Sequence, residues 1–450
     1  MAKYKAYPEY KDSGVEWLGK IPTHWICTQI KYGYDITLGK MLQKNKSSSK
    51  DELKPYLKAQ NIQPKGIDLS VVDNMWFSPD EKNKLLLKNN DVLISEGGDV
   101  GRSALWQGQL VECYIQNAIN RARAIKGNSP YFLNYWMVYL KSADFINTLC
   151  NKATIPHYTA EKVETSPLLL PNCDEQLHIS LFLDHETAKI DNLIKKQQQL
   201  IELLKEKRQA VISHAVTKGL NPNMPMKDSG VKWLGELPSH WQALPTKRLF
   251  RLVAEPAEIN NDYELLSVYT AIGVAPRKDL EPKGNKASTT DGYWKVRQGD
   301  IIVNKLLAWM GAVGFSNYDG VTSPAYDILR KVKDINPKFY HYLFRLELTQ
   351  REFKRWSRGI MEMRLRLYFE ELGRIIMPVP PRQEQDVIVE EIEKIEHQYS
   401  QLENIASHQI DLLQERRTAL ISAAVTGKID VRDWVAPDTQ GVEEPQEATA

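Results

Sequence analysis

The sequence of 450 residues has little that would assign it to a secreted, membrane-spanning or disulfide-bonded class. Its four cysteines include no close pair, so they offer neither a disulfide framework nor a zinc-ligand spacing. The polar N-terminus has no apolar signal core, and no run approaches the ~18 apolar residues of a transmembrane helix. We therefore expect a cytoplasmic protein with no membrane partner.

Net charge is small as well. Lys and Arg number 59 and Asp and Glu number 57, which gives a formal net charge of +2. A nearly neutral chain neither favours nor excludes a polyanionic partner, so only local clusters of charge can decide. The length and a hydrophobic fraction of 42% predict a globular chain with more than one core.

Signatures of catalysis are also missing. The single Pro-Pro pair, at 380–381, lacks the flanking Asp or Asn and the aromatic residue of an amino-methyltransferase motif. The Gly-rich run at 97–102 lacks the lysine of a phosphate-binding loop. Asp80 and Glu96 could be imagined in a metal-dependent nuclease, but no lysine follows Glu96, and no two histidines have metal-ligand spacing. We predict no catalytic residue and no metal site in this chain.

What the sequence does contain is a duplication. The segment KDSGVEWLGKIPTHW at 11–25 returns as KDSGVKWLGELPSHW at 227–241, identical at eleven of fifteen positions. A second pair, LLKEKRQAVISHAVT at 203–217 and LLQERRTALISAAVT at 412–426, closes each copy. The residues between these pairs share little, so the chain is two copies of one frame holding divergent inserts. We expect the first pair, the repeat segments, to hold each copy against its helices; direct contact with a partner is the alternative.

Each copy ends in a predicted long helix. A Pro-bearing boundary precedes Glu-Gln, at 175–176 and 384–385, and about 40 residues without Pro or Gly follow. Apolar residues step by three and four, which indicates a coiled-coil seam, and two homologous helices most simply pack on each other. An ordinary buried helix is the alternative, but this length exceeds the usual one. The predicted seam residues are Ile190, Leu193, Ile194, Gln197, Leu200, Ile201, Leu204, Val211 and Ala215, and then Ile388, Ile392, Ile395, Tyr399, Leu402, Ala406, Ile410, Leu413, Leu420 and Ala424.

The predicted fold is α+β, with two α/β domains separated by a long antiparallel two-helix coiled coil and an internal pseudo-two-fold duplication. Within the inserts, DVLIS at 91–95 and GDIIV at 299–303 are predicted strands that lead into Gly-bearing turns. The predicted boundaries are 1–25 for an N-terminal segment that packs on the helices, 26–172 for variable region 1, 173–219 for the first helix, 220–241 for a linker with the second repeat segment, 242–381 for variable region 2, 382–428 for the second helix, and 429–450 for a largely disordered tail.

Taken together, these features resemble the specificity subunit of type I restriction-modification systems. The resemblance extends to about residue 430 and rests on the duplicated DSGVxWLGxxPxHW segment, the Glu-Gln helix start and the LLxExRxALISxAVTG-like helix end. It implies that each variable region is a target-recognition domain that reads one half of an asymmetric bipartite site in double-stranded DNA. It implies that the helix pair sets the gap and docks two modification (methyltransferase) subunits, and that two restriction subunits join the complex.

The resemblance further implies that this chain is a non-catalytic subunit of a prokaryotic cytoplasmic complex and binds no cofactor. S-adenosylmethionine belongs to the modification subunit, and ATP and Mg belong to the restriction subunit. Two other interpretations stay open. One is a duplicated coiled-coil scaffold that binds proteins without DNA specificity, and the other is a recognition half that has lost a fused methyltransferase.

Local basic clusters are the candidates for DNA contact. The segment 351–366 has six basic residues interleaved with aromatic ones, which suits phosphate and guanine contacts but also fits a solvated helix face. Lysines between 40 and 54 indicate a mobile basic loop, which is either a phosphate contact or a plain solvated loop. The candidate DNA-binding residues are Lys44, Lys46, Arg102, Lys152, His157, Tyr158, Lys305, Arg351, Lys354, Arg355, Arg358, Arg364 and Arg366.

Charged residues recur near the two helix ends. They are candidates for contact with the modification subunits, and ion pairs within each helix explain them equally well. These candidates are Glu206, Arg208, Glu415 and Arg417.

Overall fold

The computed structural model describes residues 4–150, 156–280 and 290–436, so most of the predicted disordered tail lies outside the described residues. The chain divides into two compact units, one formed by 1–197 with 408–450 and the other by 198–407. This division cuts through both long helices, whereas the sequence predicted each helix as a separate segment. The physical reason is that the two ends of each helix belong to different hydrophobic cores.

Ten α-helices lie in the described residues, and two of them are much longer than the rest. Those two span 46 and 44 residues and begin at the predicted first residues. The helices are α1 (Pro79–Leu85), α2 (Pro130–Ser142), α3 (Phe145–Cys150), α4 (Ala160–Thr165), α5 (Cys173–Lys218), α6 (Arg277–Leu280), α7 (Pro337–Phe344), α8 (Glu347–Trp356), α9 (Phe369–Leu372) and α10 (Arg382–Val425).

The strands are short. Those of the first unit are β1 (Tyr10–Asp12), β2 (Lys20–Pro22), β3 (Ile26–Gln29), β4 (Tyr34–Leu38), β5 (Glu52–Leu57), β6 (Ile62–Gln63), β7 (Gly66–Ile67), β8 (Asp73–Phe77), β9 (Val92–Ser95), β10 (Ser103–Leu105), β11 (Tyr114–Ile115), β12 (Ile119–Ala124) and β13 (Pro167–Leu170). Those of the second unit are β14 (Met226–Asp228), β15 (Glu236–Pro238), β16 (Gln242–Pro245), β17 (Phe250–Val253), β18 (Leu266–Tyr269), β19 (Gly273–Pro276), β20 (Trp294–Val296), β21 (Ile301–Asn304), β22 (Val313–Phe315), β23 (Gly320–Thr322), β24 (Tyr326–Lys331) and β25 (Ile376–Val379).

Each variable region is built on a four-stranded antiparallel sheet with the same strand order. The order is β10-β9-β12-β4 in variable region 1 and β22-β21-β24-β17 in variable region 2. The predicted strands DVLIS and GDIIV form β9 and β21, which are the buried inner strands of these sheets. The predicted α+β fold is therefore confirmed, and the shared sheet order shows that the duplication includes inserts with little common sequence.

The two long helices pack antiparallel within each unit. In the first unit, the start of α5 and the end of α10 share one buried cluster, and Arg417 Nε lies 3.0 Å from Asp191 Oδ1. In the second unit, the end of α5 and the start of α10 share another, and Arg208 Nη1 lies 3.1 Å from Glu403 Oε1. The coiled-coil prediction is confirmed, with one correction. The 3-4 spacing marks two neighbouring apolar stripes on each helix, and the partner helix covers only one of the two. Three predicted seam residues are therefore exposed beside the seam: Leu193, Leu200 and Leu402.

The first repeat segment is fixed to the first turn of α5. Trp25 is fully buried, and its Nε1 donates a hydrogen bond to Glu175 Oε1 at 3.0 Å. The hydroxyl of Tyr7 donates to the same oxygen at 2.6 Å, and His24 Nε2 lies 2.8 Å from Glu175 Oε2. The glutamate of the Glu-Gln pair therefore collects three donors from the N-terminal segment.

The second repeat segment is held in the same way with one donor fewer. Trp241 is fully buried and donates from Nε1 to Glu384 Oε1 at 3.1 Å, while His240 Nε2 lies 2.7 Å from Glu384 Oε2. The Glu384 side chain is 29% exposed, against 2% for Glu175. Water therefore also solvates the carboxylate of Glu384.

The glutamines of the two Glu-Gln pairs bind the variable regions. Gln176 accepts the backbone N–H of Ser129 at 2.9 Å, and Gln385 accepts that of Asn336 at 2.8 Å. Ser129 and Asn336 are the N-cap residues of α2 and α7, the helices that pack under each variable region. Each Glu-Gln pair thus joins one repeat segment and one variable region to the start of a long helix.

Candidate nucleic-acid interface

Helix α8 presents arginines of variable region 2 to solvent. Thr349 and Phe353 are fully buried, whereas Arg351 and Arg355 lie on the opposite face and are exposed. This separation follows from the 3.6-residue period of the helix. Arg351 pairs with Glu347 at 2.5 Å, and Arg355 lies 3.5 Å from a Glu352 oxygen. The Arg351–Glu347 pair is exposed on both sides and therefore weak, so Arg351 can exchange it for phosphate, whereas the carboxylate of Glu352 is buried.

After α8 the chain folds back on itself over residues 357–368, here called the arginine hairpin. Arg358 and Arg366 exchange both backbone hydrogen bonds at 2.9 Å. Gly359 has a φ of +153°, and a Cβ at this position would lie 2.5 Å from the carbonyl oxygen of Arg364. A 3-10 turn over Glu362–Arg364 closes the hairpin. The turn therefore depends on glycine at 359.

The arginine hairpin carries two cations that are free to bind an anion. Arg364 and Arg366 are exposed, and the structure places no acidic side chain within ion-pair distance of either one among its described residues. Arg358 contacts the carboxylate of Glu371, and Lys354 contacts Glu362 and lies 4.9 Å from the Trp309 ring centroid. Phosphate binding by Arg364 and Arg366 would break no existing ion pair.

The hairpin also borders an open pocket of about 410 Å³. Its lining combines guanidinium groups with apolar side chains and one tyrosine ring. The lining residues are Arg358, Gly359, Ile360, Met361, Arg364, Arg366 and Tyr368. Ile360 and Met361 were not among the predicted contact residues, although their position between two arginine groups was a signal that could have identified them.

Lys305 differs from these arginines because it has a buried partner. Its Nζ lies 3.2 Å from Asp327 Oδ1 and donates to the carbonyl of Pro324 at 3.1 Å. Burial raises the pKa of the Asp327 carboxyl above its usual value, and the charge of Lys305 offsets part of that shift. Lys305 therefore neutralises a buried carboxylate of variable region 2, and its role as a DNA contact stays a prediction.

In variable region 1, the predicted basic loop is folded by a buried aspartate. Both Lys44 and Lys46 are exposed, and Lys46 Nζ lies 5.2 Å from the Trp76 ring centroid. Asp51 accepts the backbone N–H groups of Ser47 and Ser48 at 2.9 and 3.0 Å. The loop is thus hydrogen-bonded at its base, rather than the free segment that its composition indicated.

A cavity of about 610 Å³ lies beside this loop and adds one residue that was not predicted. Lys84, from the end of α1, lines the cavity together with Lys40 and the exposed Met41. No local pattern could have joined Lys84 to Lys40 and Met41, because it follows them by more than forty positions in the chain.

Four other candidates belong to variable region 1, and of the three that the structure describes, two belong to the interior. Tyr158 is fully buried with its hydroxyl 2.6 Å from Ser166 Oγ, so its prediction as a DNA contact is wrong. Arg102 is largely buried and donates to the carbonyl of Ala59 at 3.2 Å. His157 is half-exposed, and Lys152 lies outside the described residues.

The candidate residues at the helix ends divide into two pairs. Arg208 and Arg417 bridge α5 and α10 through Glu403 and Asp191, so the alternative of ion pairs within one helix is wrong for both arginines. Glu206 and Glu415 are exposed. Glu415 also lines an open groove of about 750 Å³ between α10 and the end of α2. The arginines stabilise the helix pair, and the glutamates are available to a partner.

Metal ligands and membrane-spanning helices are both absent from the described part of the chain. No three His, Cys, Asp or Glu side chains in that part lie together in a way that could hold a metal ion. Within the same ranges, no helix has the length and apolar character needed to cross a membrane.

Comparison with known proteins gives consistent similarities. A family model described as the type I restriction modification DNA specificity domain matches residues 35–203. The type I restriction enzyme EcoBI specificity subunit of Escherichia coli is 20% identical over 95% of this chain and 91% of its own length. The StySPI specificity subunit of Salmonella potsdam is 26% identical over 48% of this chain and 47% of its own.

Solved structures show the same fold. A chain of a type I R-M system superposes with a TM-score of 0.65 at 14% identity, covering 91% of this chain and 99% of that one. The HsdS subunit from Thermoanaerobacter tengcongensis superposes with a TM-score of 0.53 at 15% identity, covering 91% and 98%. The chain is therefore similar in sequence to type I restriction-modification specificity subunits, over nearly its whole length in the case of the EcoBI subunit, and it shares their fold.

Proposed function

We propose that this chain selects the DNA sequence for a type I restriction-modification complex, and that each variable region reads one half of an asymmetric bipartite site. The observation that carries the proposal is the arginine hairpin, with Arg364 and Arg366 exposed and without an acidic partner in the described residues. Such guanidinium groups bind phosphate oxygens for register and guanine edges for identity. The chain itself supplies recognition and no catalysis.

The long helices set the gap between the half-sites and dock two modification subunits. Apolar side chains beside the seam support the docking, because a helix face that is apolar and exposed is typical of an interaction site. Such residues occur on both helices: Leu177, Leu181, Leu193, Leu200, Leu203, Val387, Leu402, Ile405 and Leu412. In this proposal the modification subunits hold S-adenosylmethionine, and the two restriction subunits hold ATP and Mg.

A protein-interaction scaffold without DNA specificity is the alternative, and the relatives named above do not favour it. Salt dependence of DNA binding separates the two, because removing one phosphate contact lowers the slope of log affinity against log salt by about 0.9. In the assembled methyltransferase, Arg364→Gln and Arg366→Gln should each lower the slope by roughly this amount. Arg297→Gln is the matched control, because it removes an exposed arginine of the same variable region that pairs with Glu255, and it should leave the slope unchanged. Wild-type slopes in both arginine variants would contradict the proposal.

The half-sites and the gap are measured together by sequencing methylated adenines in a methylation-free host that expresses the chain with its modification subunit. A two-part motif with an unspecified gap of about six to eight base pairs is the expected result. Removing one heptad from both long helices shortens each by roughly 10 Å, equal to about three base pairs of duplex. The gap should shorten while both half-sites persist. Altered half-sites with the original gap would show that the helices do not set the spacing.

A further inference from the structure

The arginine hairpin has an apolar tip. Ile360 is 102% exposed and therefore gains nothing from burial in this fold, while Met361 beside it is 50% exposed. Exposed apolar residues are common on protein surfaces, and Ile259 of the same variable region is 78% exposed. What distinguishes Ile360 is its setting, because it lies at the point of a hairpin whose flanks are Arg358, Arg364 and Arg366.

The hairpin holds this tip in place. Its two strands are joined by the paired backbone hydrogen bonds of Arg358 and Arg366, and Gly359 permits the close approach to Arg364. At its base, Leu367 is fully buried and donates its backbone N–H to the carbonyl of Lys305 at 2.9 Å. A tip that is already ordered loses little conformational entropy on binding.

We propose that Ile360, with Met361 beside it, enters duplex DNA as a wedge between two adjacent base pairs, while Arg364 and Arg366 hold the neighbouring phosphates. This inference rests on the proposed function. An apolar side chain bordered by cations suits a duplex, since the arginines meet the phosphates and the wedge meets base faces exposed by unstacking. Variable region 2 then selects its half-site in part through the base step that unstacks most easily, in addition to base-edge contacts.

The experiment uses the assembled methyltransferase and duplexes that carry its mapped site. The fluorescent base 2-aminopurine replaces one base at a time in both half-sites, except at the methylated adenine, which a methyltransferase extrudes by itself. The wild-type complex should raise the fluorescence several-fold at one step of one half-site. Ile360→Ala should abolish that rise and weaken binding by about tenfold, with an unchanged salt slope because every phosphate contact remains.

Two controls make the result specific. Ile259→Ala removes an equally apolar exposed side chain outside the hairpin and should change neither fluorescence nor affinity. Arg366→Gln should lower the salt slope. If Ile360→Ala behaves like the wild type, the wedge is wrong. The wedge is also wrong if Ile360→Ala weakens binding but the wild-type complex raises the fluorescence at no position, because Ile360 would then contact a thymine methyl group or a protein. In both cases salt-dependent DNA binding would remain. Its absence in the wild-type complex would overturn the proposed function and the wedge with it.

Discussion

Replacing Glu175 by alanine tests how the first repeat segment is held on α5. The carboxylate is 2% exposed and accepts hydrogen bonds from Tyr7 and Trp25. Its loss leaves two buried donors without an acceptor, and each costs about 1–3 kcal/mol. Because burying the Glu175 carboxylate is itself unfavourable, its removal offsets part of this loss of stability. We therefore expect the local free energy of unfolding in the first unit to fall by about 3 kcal/mol.

The second unit provides the matched variant. Glu384 is 29% exposed and is contacted by Trp241 and by His240, which lies at the surface. Glu384→Ala leaves only one buried donor without an acceptor, Trp241 Nε1, so the expected loss is about 1 kcal/mol. The difference between the two variants measures the additional Tyr7 hydrogen bond together with the deeper burial of Glu175, because the Glu–Trp–His arrangement is otherwise shared.

Hydrogen exchange on the native protein is the suitable assay, since a chain of two units need not unfold in one step. Peptides from 11–25 and 227–241 report the two local opening energies separately. In a Trp25→Phe background, Glu175→Ala should cost less, because one of the stranded donors is already absent. Equal losses in the two glutamate variants, or no coupling to Trp25, would refute the reasoning.

Three further predictions concern individual residues. Burial, followed by the charges of Arg345 and Lys338, lowers the pKa of His341 to about 3. At pH values between about 3 and the ordinary histidine pKa of ~6.5, His341 is protonated only in the unfolded chain. The free energy of unfolding should therefore fall by about 2 kcal/mol from pH 7 to pH 5. Urea unfolding at both pH values should show a smaller fall in His341→Gln. Gly359→Ala should open the arginine hairpin and weaken DNA binding at unchanged melting temperature, and wild-type affinity would contradict the role given to this turn. Asp51→Ala should speed hydrogen exchange in residues 43–51 alone.

Sequence and structure agree best where the signal is periodic or repeated. The long helices begin at the predicted residues Cys173 and Arg382, and the predicted strands at 91–95 and 299–303 are inner strands of the two sheets. These features depend on local spacing, Pro and Gly placement, and burial of apolar runs, all of which a single sequence carries. The duplicated segments themselves predict two equivalent units.

The candidate site was predicted less well, because the state of a basic side chain depends on partners far away in the sequence. Lys305 and Arg364 are both basic residues of variable region 2, yet Asp327 neutralises one and no described acidic residue pairs with the other. Tyr158 lies next to His157 but is fully buried. Composition cannot separate such residues, since burial and ion pairing are decided by strands and helices that meet only in the fold.

The sequence by itself therefore determined the duplication, the element types and the length of the helices, because these follow from local periodicity. Tertiary structure decided which stripe of each long helix is covered, leaving Leu193 and Leu402 exposed. It decided what each Glu-Gln pair binds, with the glutamate taking the repeat segment and the glutamine an N-cap of the variable region. It also decided which arginines of the hairpin have no acidic partner among the described residues, because ion pairing and burial depend on contacts between residues that are distant in the sequence.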